Sequence, residues 1–418
     1  MNEGTVYVVG AGLAGLAASV ALVGQGIRVE LIEAAPQAGG RCRSWFDAQI
    51  GEVIDNGNHL VLSGNHATFA YLKAIGAENR LAGPGEARFS FCDVRTGARW
   101  TIAPNGSALP FWVLSRNRRV PDTGAIDYAK FAPLLFAGKG RRVDEIVVCA
   151  GPLWERLIRP LLLAALNTEP ESASAELASA VLRETLARGG RCCLPRIAAP
   201  NLAAAFIEPA ISFLTTHNVQ VRLGERLRSV AFQDGCASGL DLGDRQISLS
   251  PSDRVIVSVP SWIATSLIPH IDAPDLCSAI VNAHFRVSSL PGAPEMLGVI
   301  GGIAEWIFAF PNRISVTVSG ADAIVDRDRA ELADLLWQDV VRAHGLTGSL
   351  PPWQVVKEKR ATFLATPEQA ARRAPVGTRW KNLFLAGDWT ATGLPATIEG
   401  AIRSGQKAAQ SAMGGEAK

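Results

Sequence analysis

The stretch VYVVGAGLAGLAAS, residues 6–19, decides the fold. A short β-rich run from Thr5 ends at Gly10, and from Leu13 to Val23 apolar residues continue at helical spacing, so the segment reads as strand, tight turn and helix. Residues 4 to 27 carry no charge, which by run length alone would suggest a membrane span. The change of period accounts for them without one. Gly10, Gly12 and Gly15 stand in the G-x-G-x-x-G spacing. Gly10 permits the tight turn, Gly12 lets backbone approach a pyrophosphate, and Gly15 lets the helix pack on the strand. The phosphates would lie where the helix N–H groups converge, beside Ala11, Leu13 and Ala14. IRVELIEAA, residues 27–35, predicts a second strand ending at Glu33 and Ala34. An acid there accepts hydrogen bonds from a ribose diol. Strand, helix, second strand and terminal acid in register imply a dinucleotide.

Other segments indicate which dinucleotide. PQAGGRCRSW, residues 36–45, places Gly39, Gly40 and Arg41 where a loop can return over the pyrophosphate and add a guanidinium; the plainer reading of Arg41 is a solvated arginine after a turn. In EVIDNGNHLV, residues 52–61, Asp55, Gly57, Asn58 and His59 predict a turn that brings backbone close to a flat ring. His59 either exchanges a proton there or is an ordinary hydrogen-bonded turn histidine. NLFLAGDWTATGLPATIEGAIRSG, residues 382–405, reads as a buried strand in which Gly387 allows close approach and Asp388 can hold a polyol such as a ribityl chain. A turn at Gly393 follows, then a helix starting near Ala396 or Thr397. Pro395, Ala396, Thr397 and Ile398 would aim a helix N-terminus at the same ligand. A flavin gathers negative charge around N1 and C2=O on reduction, which such a terminus stabilises. The cofactor expected is therefore FAD, and no second glycine-rich βα motif offers a site for NADPH.

Through VVGAGLAGLAAS, GGR and LFLAGDW the chain resembles the FAD-dependent amine oxidase and phytoene desaturase superfamily. DNGNH (55–59), LLLAALNTEPESAS (161–174) and AGDWTATGLPATIEGAIRSG (386–405) resemble, more narrowly, the hydroxysqualene dehydroxylase family, once described as squalene-associated desaturases. Two positions depart from that family: Asn58, where Gln is usual, and Glu305, which precedes Trp306-Ile307-Phe308-Ala309 in place of the Gln of QWIF. The resemblance implies an α/β fold, with a Rossmann-like FAD domain of the p-hydroxybenzoate hydroxylase and amine oxidase type. That domain would be discontinuous over 1–65, 200–260 and 380–418, interleaved with an α+β substrate domain over 66–199 and 261–379. It also implies that Leu227 flanks the adenine. VQVRLGERLRSVAF, residues 219–232, reads as paired strands.

The implied reaction replaces the allylic hydroxyl of hydroxysqualene with hydrogen, giving squalene. A general acid protonates the poor leaving group, a flavin hydride quenches the allylic cation, and an oily pocket keeps water out. His59 is the first candidate acid. Asp55 shares its loop, and Glu399 sits in the first turn of the terminal helix, where it could equally be a cap. Trp306 and Trp389 line the pocket or belong to the core. The other readings are an oxidative desaturase, an amine oxidase, which is disfavoured because three Tyr leave little for an aromatic cage, and a prenyl-lipid binder without flavin.

Composition narrows the partners. Charged residues are 19% of 418 and AVILMFWYC reach 48%, which fits a long apolar isoprenoid substrate. Lys plus Arg number 41 against 39 Asp plus Glu, leaving no general polyanion affinity and no nucleic-acid partner. Seven cysteines at scattered positions form no C-x-x-C pair and no metal motif, as for reduced thiols in a cytoplasmic protein. An external electron donor is expected. Between 109 and 142, PFWVL and FAPLLF alternate with seven Arg and Lys. This suits either peripheral contact with the inner face of the cell membrane or a buried helix with solvated ends.

Overall fold

The computed structural model describes residues 4–414. The strands Val6–Val9, Val29–Glu33, Gln220–Leu223, Arg254–Val257 and Leu383–Leu385 form one parallel sheet, with Val6–Val9 at its centre. Val8, Leu31, Ile256 and Leu383 are fully buried, as expected of parallel strands covered on both faces. The helix Leu13–Val23 lies against the terminal helix Ile398–Ala412 with the two backbones almost touching. A Cβ added at Gly405 would stand 2.0 Å from the carbonyl of Ala14.

The expectation for 219–232 needs correction. Gln220–Leu223 pairs with the end of Val29–Glu33, whereas Ser229–Gln233 joins a separate antiparallel sheet with Cys236–Asp241. Gly224, at φ +78°, turns the chain and donates to the carbonyl of Ala35, so the two strands diverge.

A second, seven-stranded sheet runs in the order 353–363, 277–286, 313–318, 306–309, 296–300, 89–93, 99–102. One face, with Val281, Ala283, Ile307 and Val316 fully buried, packs on Leu332 and Leu336 of the helix Arg329–His344. The other face looks toward the turn after Asp55. Asn282 Nδ2 donates to the carbonyl of Asn56 at 3.2 Å, and His284 bonds the carbonyl of Asp55 at 3.1 Å.

Residues 109–142 hold no long buried helix. They form short turns at Phe111–Leu114, Ala125–Ala129 and Ala132–Phe136. Pro110, Pro133 and the glycines at 124, 138 and 140 interrupt any longer period. All seven cysteines are free thiols. No helix among the described residues is long and apolar enough to cross a membrane.

Candidate functional site

The glycine turn is arranged as a cradle. Gly10 adopts φ +104°, and a Cβ at Gly15 would lie 1.8 Å from the Gly10 carbonyl. At Gly12, by contrast, an added Cβ would meet no atom within 4 Å, so open space stands before the N-terminus of the helix Leu13–Val23. The Gly39–Gly40 loop returns against this turn. Gly39 donates to the Ala11 carbonyl at 2.8 Å, and Gly12 bridges Gly39. Glu33 accepts from the N–H groups of Ala11 (2.7 Å) and Ala35 (2.8 Å). It stays partly exposed, and each oxygen keeps a lone pair for a ribose hydroxyl. Ala34 is exposed beside it, while Leu227 is buried in the segment that follows Gly224.

The two ends of the chain meet at Arg41 and Asp388. Their side chains pair at 2.7 Å, and Arg41 also donates to the carbonyl of Ala361, tying the two sheets together. Gly387 sits at φ +145°, and its N–H is held by Ser404 Oγ at 2.8 Å. Past Pro395 and Ala396, Thr397 caps the terminal helix through Gly400 N–H at 3.0 Å. The helix begins at Ile398, one or two residues beyond the expected start. An open glycine turn, an acid with free lone pairs, and a cation–polyol-acceptor pair beside a second helix N-terminus fit FAD. Pyrophosphate would be held by Gly12, Gly40 and Arg41, ribose by Glu33, and ribityl by Asp388. Trp389 is core: its Nε1 donates to the Val259 carbonyl at 2.9 Å, and the residue is 4% exposed.

Sheet register aligns two rows of buried side chains on the face that looks toward the turn after Asp55. Phe91, Gly298, Trp306, Thr317 and Asn282 form one row across five strands. Directly opposed residues share a face, so the row passes from aromatic to polar as it nears Asn58. The next row, Met296, Phe308, Ser315 and His284, repeats the gradient. At the apolar end Phe91 lies across Gly298, where a Cβ would come within 2.5 Å of the ring; it stacks on Trp100 and meets Trp306 edge-on, both at 5.6 Å. At the polar end, Asn58 Nδ2 donates to Thr317 Oγ1 (3.3 Å) and Thr317 donates to Asn282 Oδ1 (2.7 Å). Gly57 is required here, since a Cβ would press within 2.7 Å of the Asn282 amide. The signal for these residues was present in the sequence. In SAIVNAHF, residues 278–285, Asn282 and His284 occupy alternate positions of an otherwise apolar strand, which places them on one face.

The three candidate acids separate. Glu399 is 2% exposed and accepts four hydrogen bonds, from Ala67 N (3.0 Å), Thr68 N (2.8 Å), Thr68 Oγ1 (2.7 Å) and Arg403 Nε (2.7 Å). It caps the helix His66–Ala74, not its own. Asp55 accepts from Ser44 Oγ (2.5 Å) and Leu202 N (2.9 Å). Burial raises its pKa, and its carboxyl fastens the start of the helical segment at 202. His59 makes no side-chain hydrogen bond among the described residues. Burial, then the charge of Arg41, lower its pKa to about 4, so at neutral pH it is an uncharged imidazole offering one N–H, not an imidazolium. His284 is likewise held neutral by burial, at about 3. Its bonds to Ser315 Oγ (2.8 Å) and the Asp55 carbonyl pin the turn to the sheet.

Glu305 is the acid the sequence reading passed over. Partly buried, it accepts from Ser319 N–H at 2.8 Å, and burial pushes its pKa up to about 7. Folding therefore takes up a proton between the unfolded pKa of 4.5 and the folded value of about 7. The stability contribution is full below that window, falls as pH rises through it, and stays low above. At one pKa unit per 1.36 kcal/mol, the loss is at most about 3 kcal/mol. Glu305→Gln keeps the acceptor without the charge. Its urea midpoint is expected to match wild type near pH 3.5, below the window, and exceed it near pH 8.5; equal midpoints at both would remove the buried-proton account.

Comparison with known proteins agrees with this geometry. The family model "Flavin containing amine oxidoreductase" matches residues 13–413. Hydroxysqualene dehydroxylase of Sinorhizobium fredii is 50% identical over 98% of both chains; that of Rhodopseudomonas palustris is 50% identical over 97% of both. The solved cyclohexylamine oxidase of Brevibacterium oxydans superposes with a TM-score of 0.72 over 98% of both chains at 16% identity, a likeness of fold alone. This chain therefore belongs to the flavin containing amine oxidoreductase family and, within it, to the hydroxysqualene dehydroxylases.

Proposed function

We propose that this protein reductively dehydroxylates hydroxysqualene to squalene. The observation that carries the reading is the 50% identity to a hydroxysqualene dehydroxylase over 98% of the chain. FAD, which Gly12, Gly40, Arg41, Glu33 and Asp388 would hold, would supply a hydride when bound and reduced. The residues of the chain do the remaining work. The aromatic rows around Phe91, Trp306 and Phe308 receive the hydrocarbon and exclude water, which would return an allylic cation to the alcohol. The polar end, at Asn58 and His59, receives the hydroxyl; the His59 N–H hydrogen-bonds the departing oxygen. The C–O bond breaks, the oxygen leaves as water with a proton from solvent, and the carbon gains hydrogen. The two electrons come from an external donor. The protein works on the cytoplasmic side, as a peripheral protein at the inner face of the cell membrane.

The test is anaerobic: reduce the purified holoprotein, add hydroxysqualene, follow flavin absorbance and identify the lipid by mass spectrometry. Reoxidation with stoichiometric squalene is expected. A flavin that stays reduced with this substrate, yet is bleached in its oxidised form by an amine or polyene, would replace the reading with an oxidase or desaturase. His59→Ala is expected to keep its flavin and lose roughly 100-fold or more in turnover. Loss of flavin instead would make His59 a cofactor-positioning residue.

A further inference from the structure

We infer that residues 109–148 form the face on which the protein docks to an anionic bilayer. This inference rests on the lipid-substrate reading above and identifies the surface by which that substrate is reached. Thirteen large apolar side chains are well exposed among the described residues, and six of them, Leu109, Phe111, Leu114, Ile126, Phe136 and Val148, fall within these forty positions, at 61–84% exposure. Such clustering marks an interaction surface rather than the scattered exposure of an ordinary one.

The short turns produce it. Along the stretch, Trp112, Val113, Leu134, Val143 and Val147 are buried and belong to the same large buried cluster as Phe91, Trp306 and Phe308, whereas the turn Ala125–Ala129 buries none of its residues. The neighbours of the buried residues are left facing outward. Cross-contacts hold the turns together. Trp112 meets Tyr128 edge-on at 5.1 Å, the Tyr128 hydroxyl accepts from Val120 N at 3.0 Å, and Phe131 stacks on Trp154 at 6.1 Å.

Charge selects the occupant. The stretch holds seven cations and four acids. The acids are taken: Lys130 pairs with Asp127, Arg141 with Glu145, Arg142 with Asp144, and Asp122 with Arg156. Arg118 and Arg119 donate only to carbonyls, of Ala103 and Val113. Arg116 and Lys139 are exposed and have no carboxylate partner among the described residues. Exposed apolar side chains in one stretch with exposed, unpaired Arg116 and Lys139 match an anionic lipid surface.

The experiment is flotation of the holoprotein with phosphatidylcholine vesicles, with and without phosphatidylglycerol, at low and high salt. Binding is expected only with phosphatidylglycerol and to weaken with salt. Arg116→Glu with Lys139→Glu, a change of exposed residues that leaves the core intact, is expected to weaken it at least about tenfold. Phe111→Ser with Leu114→Ser and Phe136→Ser should do likewise, while turnover on detergent-dispersed substrate stays at wild-type level for both variants. Equal binding to neutral vesicles, undiminished binding by the charge variant, or a concentration-dependent dimer that the apolar variant abolishes would each overturn the inference. Absent turnover in detergent with lipid binding intact would instead remove the dehydroxylase reading and leave the docking face standing.

Discussion

Gly12→Val is expected to yield a folded protein that purifies without flavin. Gly12 lies at φ −73°, which valine adopts without strain, and its added Cβ would meet no protein atom within 4 Å. The fold has no reason to resist. The branched side chain would, however, fill the space before the helix N-terminus where a pyrophosphate approaches the backbone. Flavin affinity should fall by at least about 100-fold, since both phosphate contacts and close approach are lost. Gly15→Ala is the contrasting case. Its Cβ would stand 1.8 Å from the Gly10 carbonyl and 2.5 Å from Ser258 Oγ, so helix and strand must separate; the loss is expected to exceed about 4 kcal/mol, and the protein should not accumulate in soluble form. The ratio of flavin to protein absorbance, with circular dichroism of each variant, separates the cases. A yellow, stoichiometrically loaded Gly12→Val protein would move the pyrophosphate away from this turn.

Glu399→Ala should cost about 3–5 kcal/mol, because a buried carboxylate that satisfies two first-turn N–H groups, a hydroxyl and a guanidinium is removed. Arg403 would not be stranded, since it keeps a two-pronged pair with Glu184 at 2.8 and 2.7 Å. The exposed cost falls on Ala67 and Thr68, whose N–H groups begin the helix His66–Ala74 and would lose their cap. Glu399→Gln retains one acceptor oxygen and should lose roughly half as much. In both variants, turnover per flavin-loaded molecule is expected to stay within about threefold of wild type, because the Glu399 carboxylate is engaged by Ala67, Thr68 and Arg403. A Gln variant with unchanged urea midpoint and no turnover would restore Glu399 as the acid.

How far the sequence alone reaches is clear from three residues of one kind. Glu33 was legible because its partner is chemical and local: a glycine turn, one helix and one strand lead to it in fixed order, and that order leaves one place for the acid. Glu399 was not, because its partners, Ala67 and Thr68, lie more than 330 positions away, and only the packing of the terminal helix on His66–Ala74 brings them together. Glu305 was visible as a letter but not as an acid, since its proton affinity follows from burial beside Ser319, which no spacing encodes. His59 shows the same limit with the opposite sign. Its place in the turn was readable, but burial near Arg41 keeps it uncharged, so its chemistry differs from that of a free imidazole.

Likewise, the first strand–helix–strand unit and its cradle were determined by short-range patterns: β-rich runs, glycine at strand ends, and acids following them. Such patterns act through backbone conformation and hydrogen-bond supply within some thirty residues, and the Leu13–Val23 helix follows from them directly. The polar-to-aromatic rows at the site were decided by tertiary structure. They depend on the register of five strands drawn from 89 to 318, and a slip of one residue in any of them would turn its side chains to the opposite face.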